Sequence, residues 1–392
     1  MVFKEAKLVK TPKLTDIVVA ITEQCATNCD YCFYYKNVDE AVKRFRNNDE
    51  APLSQSRRTL TLDTLKRIIT EAMPLGLRSV QISGGEPLLR KKLLVDTLTY
   101  CSTKKIDTTL YTNGTLTDSQ TIDSLVEAGL LTVRISLGGY SYETHSQQRH
   151  DPRGIKDWEN IVDSISQFSS SGINTGTLTP ITRISLPHLG DTGRFASALG
   201  AKFVTFHMYI PSGISEQDKK NVLTIDEHYQ AIEEILELRE ELGNMQVKVI
   251  PNYGVFEYLS GKWNKEMEIY PSQCGETRLG VFADGSIGSC TCTSERLANI
   301  QDPDFDLKNL WTNNDNLNAI RKQRNNPFDP CNDCIHQDYC RPCRSYTFNL
   351  GKEGVAPQSC PAVKDYQHLL SQGVDSSSFL QQALGHNLRS KL

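Results

Sequence analysis

The chain has 392 residues, 38% of them hydrophobic and 23% charged, and a net charge of −4. This is the composition of a folded globular protein with room for two or three domains, and its near-neutral balance excludes a chain-wide basic field for nucleic acid. No apolar run approaches the ~18 residues of a membrane span, and the basic stretch Met1 to Lys13 lacks the apolar core of a signal peptide. A cytoplasmic enzyme is the class that remains.

In chain order, six strands are predicted: Ile17–Thr22, Ser79–Ser83, Asp107–Tyr111, Thr132–Ser136, Asn174–Thr179 and Phe203–Tyr209. Each is rich in β-branched or aromatic residues and is followed by Gly, Pro or Asn punctuation. Helical patterns lie between them. Thr61 caps one with Leu62, Leu65, Ile68, Ile69 and Ala72 on its apolar stripe, and Thr117 with Gln120 reads as a capping box closed by Gly129. Lys91–Ser102, Trp158–Phe168 and Asp191–Leu199 read as further helices. Lys36–Arg58 is a polar insertion, read as a solvated loop with a substrate lid as the alternative.

Parallel neighbours need crossover helices, so six β–α repeats predict a parallel sheet. Six units do not complete an eight-fold barrel, which leaves an open partial (β/α)6 barrel of TIM-like kind with ligands at the C-terminal strand ends. After Gly213, Thr224 and Glu227 start a strong helix. From about Gln246 the chain turns to short strands, turns and cysteines, as in a small domain organised by metal. The domain reading is a lead-in at 1–14, the barrel at 15–213, a bridging helix and strands at 214–269, a cysteine-rich extension at 270–362 and a tail at 363–392.

Twelve cysteines without a secretion signal read as metal ligands rather than a disulfide frame. Cys25, Cys29 and Cys32 directly follow the first strand. Three thiolates on one tight loop suit three corners of a four-iron cluster, and the fourth iron is left open to a ligand. A zinc knuckle is the alternative, but zinc needs four ligands and no nearby fourth Cys or His exists. Cys274, Cys290, Cys292, Cys331, Cys334, Cys340, Cys343 and Cys360 form the second group, and Cys101 stands alone as a small core residue on a helix. A zinc ribbon is the alternative for the run from Cys331 to Cys343.

The Cys-x3-Cys-x2-Cys loop, with Ser83-Gly84-Gly85-Glu86-Pro87 after the second strand, resembles the radical S-adenosylmethionine (SAM) superfamily. The second cysteine group resembles that family's SPASM extension, with x2 where the usual last short spacing is x3. The resemblance implies SAM, a [4Fe-4S] radical cluster and two auxiliary [4Fe-4S] clusters as cofactors. It implies cofactor contacts from Tyr31, Gly84, Gly85, Glu86, Asn113, Ser136, Arg183 and Tyr209, while Gly138 stands where relatives often carry an acid. Cys331, Cys334, Cys340 and Cys360 would hold the distal auxiliary cluster, and Cys274, Cys290 and Cys343 the nearer one. Cys292 is then surplus: a fourth ligand, a catalytic hydrogen-atom donor or a packing residue.

The implied reaction is hydrogen abstraction by a 5′-deoxyadenosyl radical. The first substrate reading is a ribosomally made peptide that is cross-linked, oxidised or epimerised, and the short stretch before the first strand implies a separate leader-recognition protein or a short leader groove. Thr291 follows Cys290 where sulfatase maturases carry an aspartate base. The alternative is oxidation or epimerisation of a sugar or aminocyclitol. Flavodoxin or ferredoxin is the expected electron donor, and neither nucleic acid nor a membrane is an expected partner.

Overall fold

The computed structural model describes residues 12–33, 60–209, 221, 223–250, 273–292 and 295–325. The insertion at Lys36–Arg58 and the cysteines from Cys331 to Cys360 lie outside these residues. All six predicted strands form: β1 (Asp16–Ala20), β3 (Ser79–Ser83), β4 (Asp107–Thr112), β5 (Thr132–Ser136), β7 (Asn174–Ile181) and β8 (Phe203–Met208). They pair in parallel in the order β1-β3-β4-β5-β7-β8. Alternation explains the faces. Val80 and Ile82, Leu110, and Val133 and Ile135 point to the helices and are fully buried, while Gln81, Tyr111 and Arg134, one residue out of phase, point into the barrel.

The sheet runs beyond the six units at both sides. β9 (Gln246–Ile250) adds in parallel to β8, and β10 (Arg278–Val281) adds in parallel to β1, with β11 (Ser286–Gly288) and β12 (Ala298–Asn299) continuing antiparallel. Segments assigned by sequence to the bridge and the extension therefore belong to the barrel sheet. A two-stranded ribbon, β2 (Asn28–Cys29) with β6 (Arg149–His150), stands apart from it.

The helices cover the outer face. They are α1 (Leu62–Ala72), α2 (Lys91–Thr103), α3 (Ser119–Glu127), α4 (Tyr142–Ser146), α5 (Ile155–Ser170), α6 (Leu189–Ala198), α7 (Ile225–Glu241), α8 (Leu307–Asn313) and α9 (Asp315–Asn325). The Thr61 hydroxyl accepts from the Thr64 N–H, and Thr224 and Glu227 cap α7 reciprocally, both as expected. The third expectation is corrected: Asp118, not Thr117, caps α3, its carboxylate accepting from Thr121 N at 2.7 Å. The Thr117 hydroxyl instead donates to the Gly114 carbonyl. Each fully buried Leu or Ile in the core contributes about 1.5–3 kcal/mol of transfer free energy. Cys101 is one of these core residues, fully buried on α2, and burial pushes its thiol up to about 12. No helix of the described residues is long and apolar enough to cross a membrane.

Candidate active site at the cysteine loop

The loop after β1 carries Cys25, Cys29 and Cys32, all half-buried and in no disulfide. Backbone bonds shape it. Cys32 N–H donates to Cys29 O at 3.1 Å, and Asp30 N–H donates to Gln148 O at 3.0 Å. The loop after β3 is fastened against it: Gly85 and Glu86 N–H donate to Thr22 and Gln24 carbonyls, each at 2.7 Å. Gly84 permits this approach. It sits at φ +129°, and a Cβ there would lie 2.3 Å from the Thr22 carbonyl oxygen. The glycines of this motif thus serve the contact between two loops.

Glu86 is fully buried. Its Oε1 accepts from the Thr112 hydroxyl at 2.8 Å and Leu88 N–H at 3.0 Å, and its Oε2 accepts from Asn113 N–H at 2.7 Å. Burial pushes this carboxyl up, against the pull of those hydrogen bonds. Glu86 thus ties the loops after β3 and β4 together, and Oε2, with one bond, keeps acceptor capacity for a further donor. Asn113 passes the connection on. Its side-chain N–H2 donates to the Thr27 hydroxyl at 3.3 Å and reaches Cys25 Sγ at 3.8 Å, and its Oδ1 accepts from Thr115.

Arg149 joins this loop system to the next strand. The guanidinium is fully buried, with Nη1 donating to Ser136 O and Nη2 to Asn113 O, both at 2.9 Å, and Nε to Asp151 Oδ1 at 3.1 Å. Its backbone faces Cys29 in the β2–β6 ribbon. His145 completes the cluster. Its Nδ1 accepts from Gly138 N–H at 3.2 Å, so Nε2 carries the proton toward Asp151 Oδ2 at 2.9 Å. Burial holds this imidazole below its usual range and neutral. Burial works to raise Asp151, but Arg149 and the bonds from His145 and Thr27 override it and keep the carboxyl low. Burial likewise works against the Arg149 charge, and Asp151 together with the neighbouring Cys29 and Tyr31 more than offsets it.

The absent acid at Gly138 has a spatial reason. A Cβ there would meet His145 Nδ1 at 3.1 Å, and one at Gly139 would lie 2.3 Å from the Thr144 hydroxyl. The short helix α4 occupies the room an acid would need.

The remaining expected contacts divide. Ser136, half-buried at the end of β5, and Tyr31, whose hydroxyl lies buried beside Cys29, stand at the cysteine loop. Burial and then the neighbouring Cys29 hold the Tyr31 phenol well above its usual range. Tyr209 is buried just past β8, its N–H donating to Ile181 O. Arg183 is exposed and bonds Glu227 at the start of α7, with Nε to Oε1 at 2.9 Å. Of the second group, Cys274 is buried just before β10, where α9's Arg321 donates to the neighbouring Gly275 carbonyl at 2.9 Å. Cys290 and Cys292 follow β11, with Cys292 N–H donating to Cys290 Sγ at 3.4 Å.

Sequence reasoning missed Arg149, Asp151 and His145. Their only signal was a dense polar run, Gln147-Gln148-Arg149-His150-Asp151, which reads as surface. The donor set suits a cluster. Burial pushes Cys25 up to about 11 and Cys29 well above its usual range, so the thiols stay protonated until metal displaces the protons. Among the described residues, no three such side chains converge on one metal ion, whereas a cubane asks each thiolate for a separate iron.

The chain is 26% identical to the cysteine-type anaerobic sulfatase-maturating enzyme of Clostridium perfringens strain 13 over 355 residues, covering 85% of this chain and 90% of that one. It is 22% identical to the AdoMet-dependent heme synthase of Oleidesulfovibrio alaskensis over 362 residues, covering 89% and 87%. The crystal structure of Streptococcus suis SuiB bound to precursor peptide SuiA shares the fold at a TM-score of 0.68 and 17% identity, covering 90% of this chain and 76% of that one. Residues 19–196, which include the cysteine loop and the strands that frame it, match the radical SAM superfamily, so this part of the chain is a radical SAM domain.

Proposed function

We propose that this enzyme modifies a ribosomally made peptide by abstracting hydrogen from an unactivated carbon, leading to a cross-link, an oxidation or an epimerisation. The observation that carries the chemistry is the loop of Cys25, Cys29 and Cys32 at the C-terminal ends of parallel strands. Cys25, Cys29 and Cys32 would hold a four-iron cluster, which together with SAM would supply the one-electron chemistry needed for hydrogen abstraction. The chain's own residues hold that site. Asn113 supports Cys25, Gly84 lets the two loops close up, and Glu86 and Arg149 fix the ends of β3, β4 and β5 around it. Tyr31, Ser136 and Tyr209 are the side chains proposed to face SAM.

The peptide reading is supported by similarity to a sulfatase-maturating enzyme across most of both chains, and by the fold shared with a structure that holds a precursor peptide. Cys274, Cys290, Cys292, Cys331, Cys334, Cys340, Cys343 and Cys360 are proposed to hold two auxiliary clusters, which accept the electron an oxidative outcome must lose. A separate leader-recognition protein and a flavodoxin or ferredoxin are the proposed partners. Similarity to a heme synthase over nearly the whole chain keeps a small-molecule substrate as the second reading. The test is anaerobic reconstitution, SAM and dithionite with candidate peptides. A peptide reading predicts a mass change in the peptide with stoichiometric 5′-deoxyadenosine. SAM cleavage that no peptide stimulates, but a small molecule does, overturns it.

A further inference from the structure

We propose that Arg149, steadied by Asp151 and His145, is the fixed cation of the cysteine loop and sets the reduction potential of the cluster held there. The inference rests on the reading that Cys25, Cys29 and Cys32 hold that cluster. Cys29 and Arg149 are directly opposed in the antiparallel β2–β6 ribbon. Opposed residues place their Cβ atoms about 4.5–5.5 Å apart on one face, so the arginine stem rises beside the sulfur. The guanidinium is fully buried and its three bonds, to the Ser136 and Asn113 carbonyls and to Asp151, leave it no freedom to swing away.

The charges are arranged asymmetrically. Arg149 stands opposite Cys29, whereas Asp151 lies two residues further on. The Asp151 carboxylate is covered by Arg149 Nε on one oxygen and by His145 Nε2 on the other. The thiolates therefore meet the positive end of this pair first, and Arg149 ranks ahead of Asp151 among the charges acting on Cys29. On Cys25 the buried Glu86 carboxylate acts in the opposite sense. Charges shielded from water act strongly over such distances, and iron–sulfur potentials respond to local charge and burial. A cation beside the cluster favours the reduced state, which carries one more electron. His145 is a positioning residue in this arrangement: it is neutral, and it orients Asp151, which orients Arg149.

The sign of the effect separates electrostatics from packing. The full-length chain is reconstituted anaerobically, and the cluster is titrated redox-potentiometrically by EPR, using the signal that changes when SAM is added. Arg149→Gln should shift the midpoint negative by about 59 mV, equivalent to a tenfold change in the reduced-to-oxidised ratio for one electron. Asp151→Asn, which leaves Arg149 unopposed, should shift it positive, and Arg149→Lys should fall between wild type and Arg149→Gln. Loaded variants with unchanged potentials, or with shifts of one sign in both Arg149→Gln and Asp151→Asn, overturn this proposal alone. If Arg149→Gln takes up no iron, the sign of the Asp151→Asn shift decides it. A wild-type chain that binds no iron at Cys25, Cys29 and Cys32 overturns the reading of the site and this proposal with it.

Discussion

The two flanks of the sheet fasten their C-terminal ends in different ways. Along β1, β3, β4 and β5, the loops are joined by buried polar groups: Glu86 to Thr112 and Asn113, Asn113 to Thr27, and Arg149 to the Ser136 and Asn113 carbonyls. Along β7, β8 and β9, the helices have their own apolar core, with Ile181, Phe206, Ile232 and Leu238 among its members, and the charged pairs lie at the surface. Arg183 with Glu227, and Arg194 with Asp191 and Glu241, are all of that kind. Buried bonds cost 1–3 kcal/mol or more when one partner is lost, and surface pairs contribute about 0–1 kcal/mol. Losing a polar group should therefore cost more on the flank that bears the cysteine loop, whereas the surface charges of the opposite flank can tolerate substitution.

The largest expected effect is at the loop itself. Cys29→Ala removes one of three thiols and should abolish formation of 5′-deoxyadenosine, read by chromatography after anaerobic reconstitution. Residual cleavage at the wild-type rate would refute the ligand assignment. Gly84→Ala should come next. Its Cβ would lie 2.3 Å from the Thr22 carbonyl at a backbone angle of +129°, a strain of about 3 kcal/mol, seen as a lower midpoint in thermal or urea unfolding. Gly243→Ala, at a position where the nearest atom to a Cβ is 3.9 Å away, is the control on the tolerant flank.

A smaller effect should appear as a pH dependence. The buried His145 has its pKa lowered by burial. As pH falls through the ordinary imidazole value of about 6.5, the unfolded chain takes up a proton that the folded chain refuses. Stability should therefore fall with falling pH below that point, by at most about 1.4 kcal/mol per unit from this one group. His145→Gln should flatten that slope in denaturant titrations between pH 7 and 5, and an unchanged slope would place the dependence elsewhere. Smallest of all, Arg183→Ala should alter stability by less than about 0.5 kcal/mol and leave SAM affinity as in wild type. A marked loss of SAM affinity would place Arg183 at the cofactor site.

Much of this was readable from the sequence. The six strands announced themselves because a half-buried parallel strand needs β-branched residues in alternation and a stop, and each segment has both. The cysteine loop was visible because three thiols at such spacing have no cheaper explanation. The α3 cap was misplaced by one residue, since Thr117 and Asp118 both carry capping oxygens and only the backbone path chooses between them. Arg149 and Asp151 were hidden because charge in a short polar run looks solvated, and only tertiary contact reveals that both are buried. The pairing of β10 with β1 left no local trace either, since hydrogen bonding between distant strands imposes no periodicity beyond that of each strand alone.

That last pairing bears on how the enzyme is made. Thr15 N–H donates to the carbonyl of Thr277, 262 residues further along, and the register continues from Asp16 with Arg278 to Val19 with Val281. During synthesis the first strand emerges early and waits with one flank bare until those distant residues leave the ribosome. The partners that fasten the cysteine loop are all translated by Arg149, so the loop can be secured early, while β1 beneath it gains its second neighbour only when β10 is made.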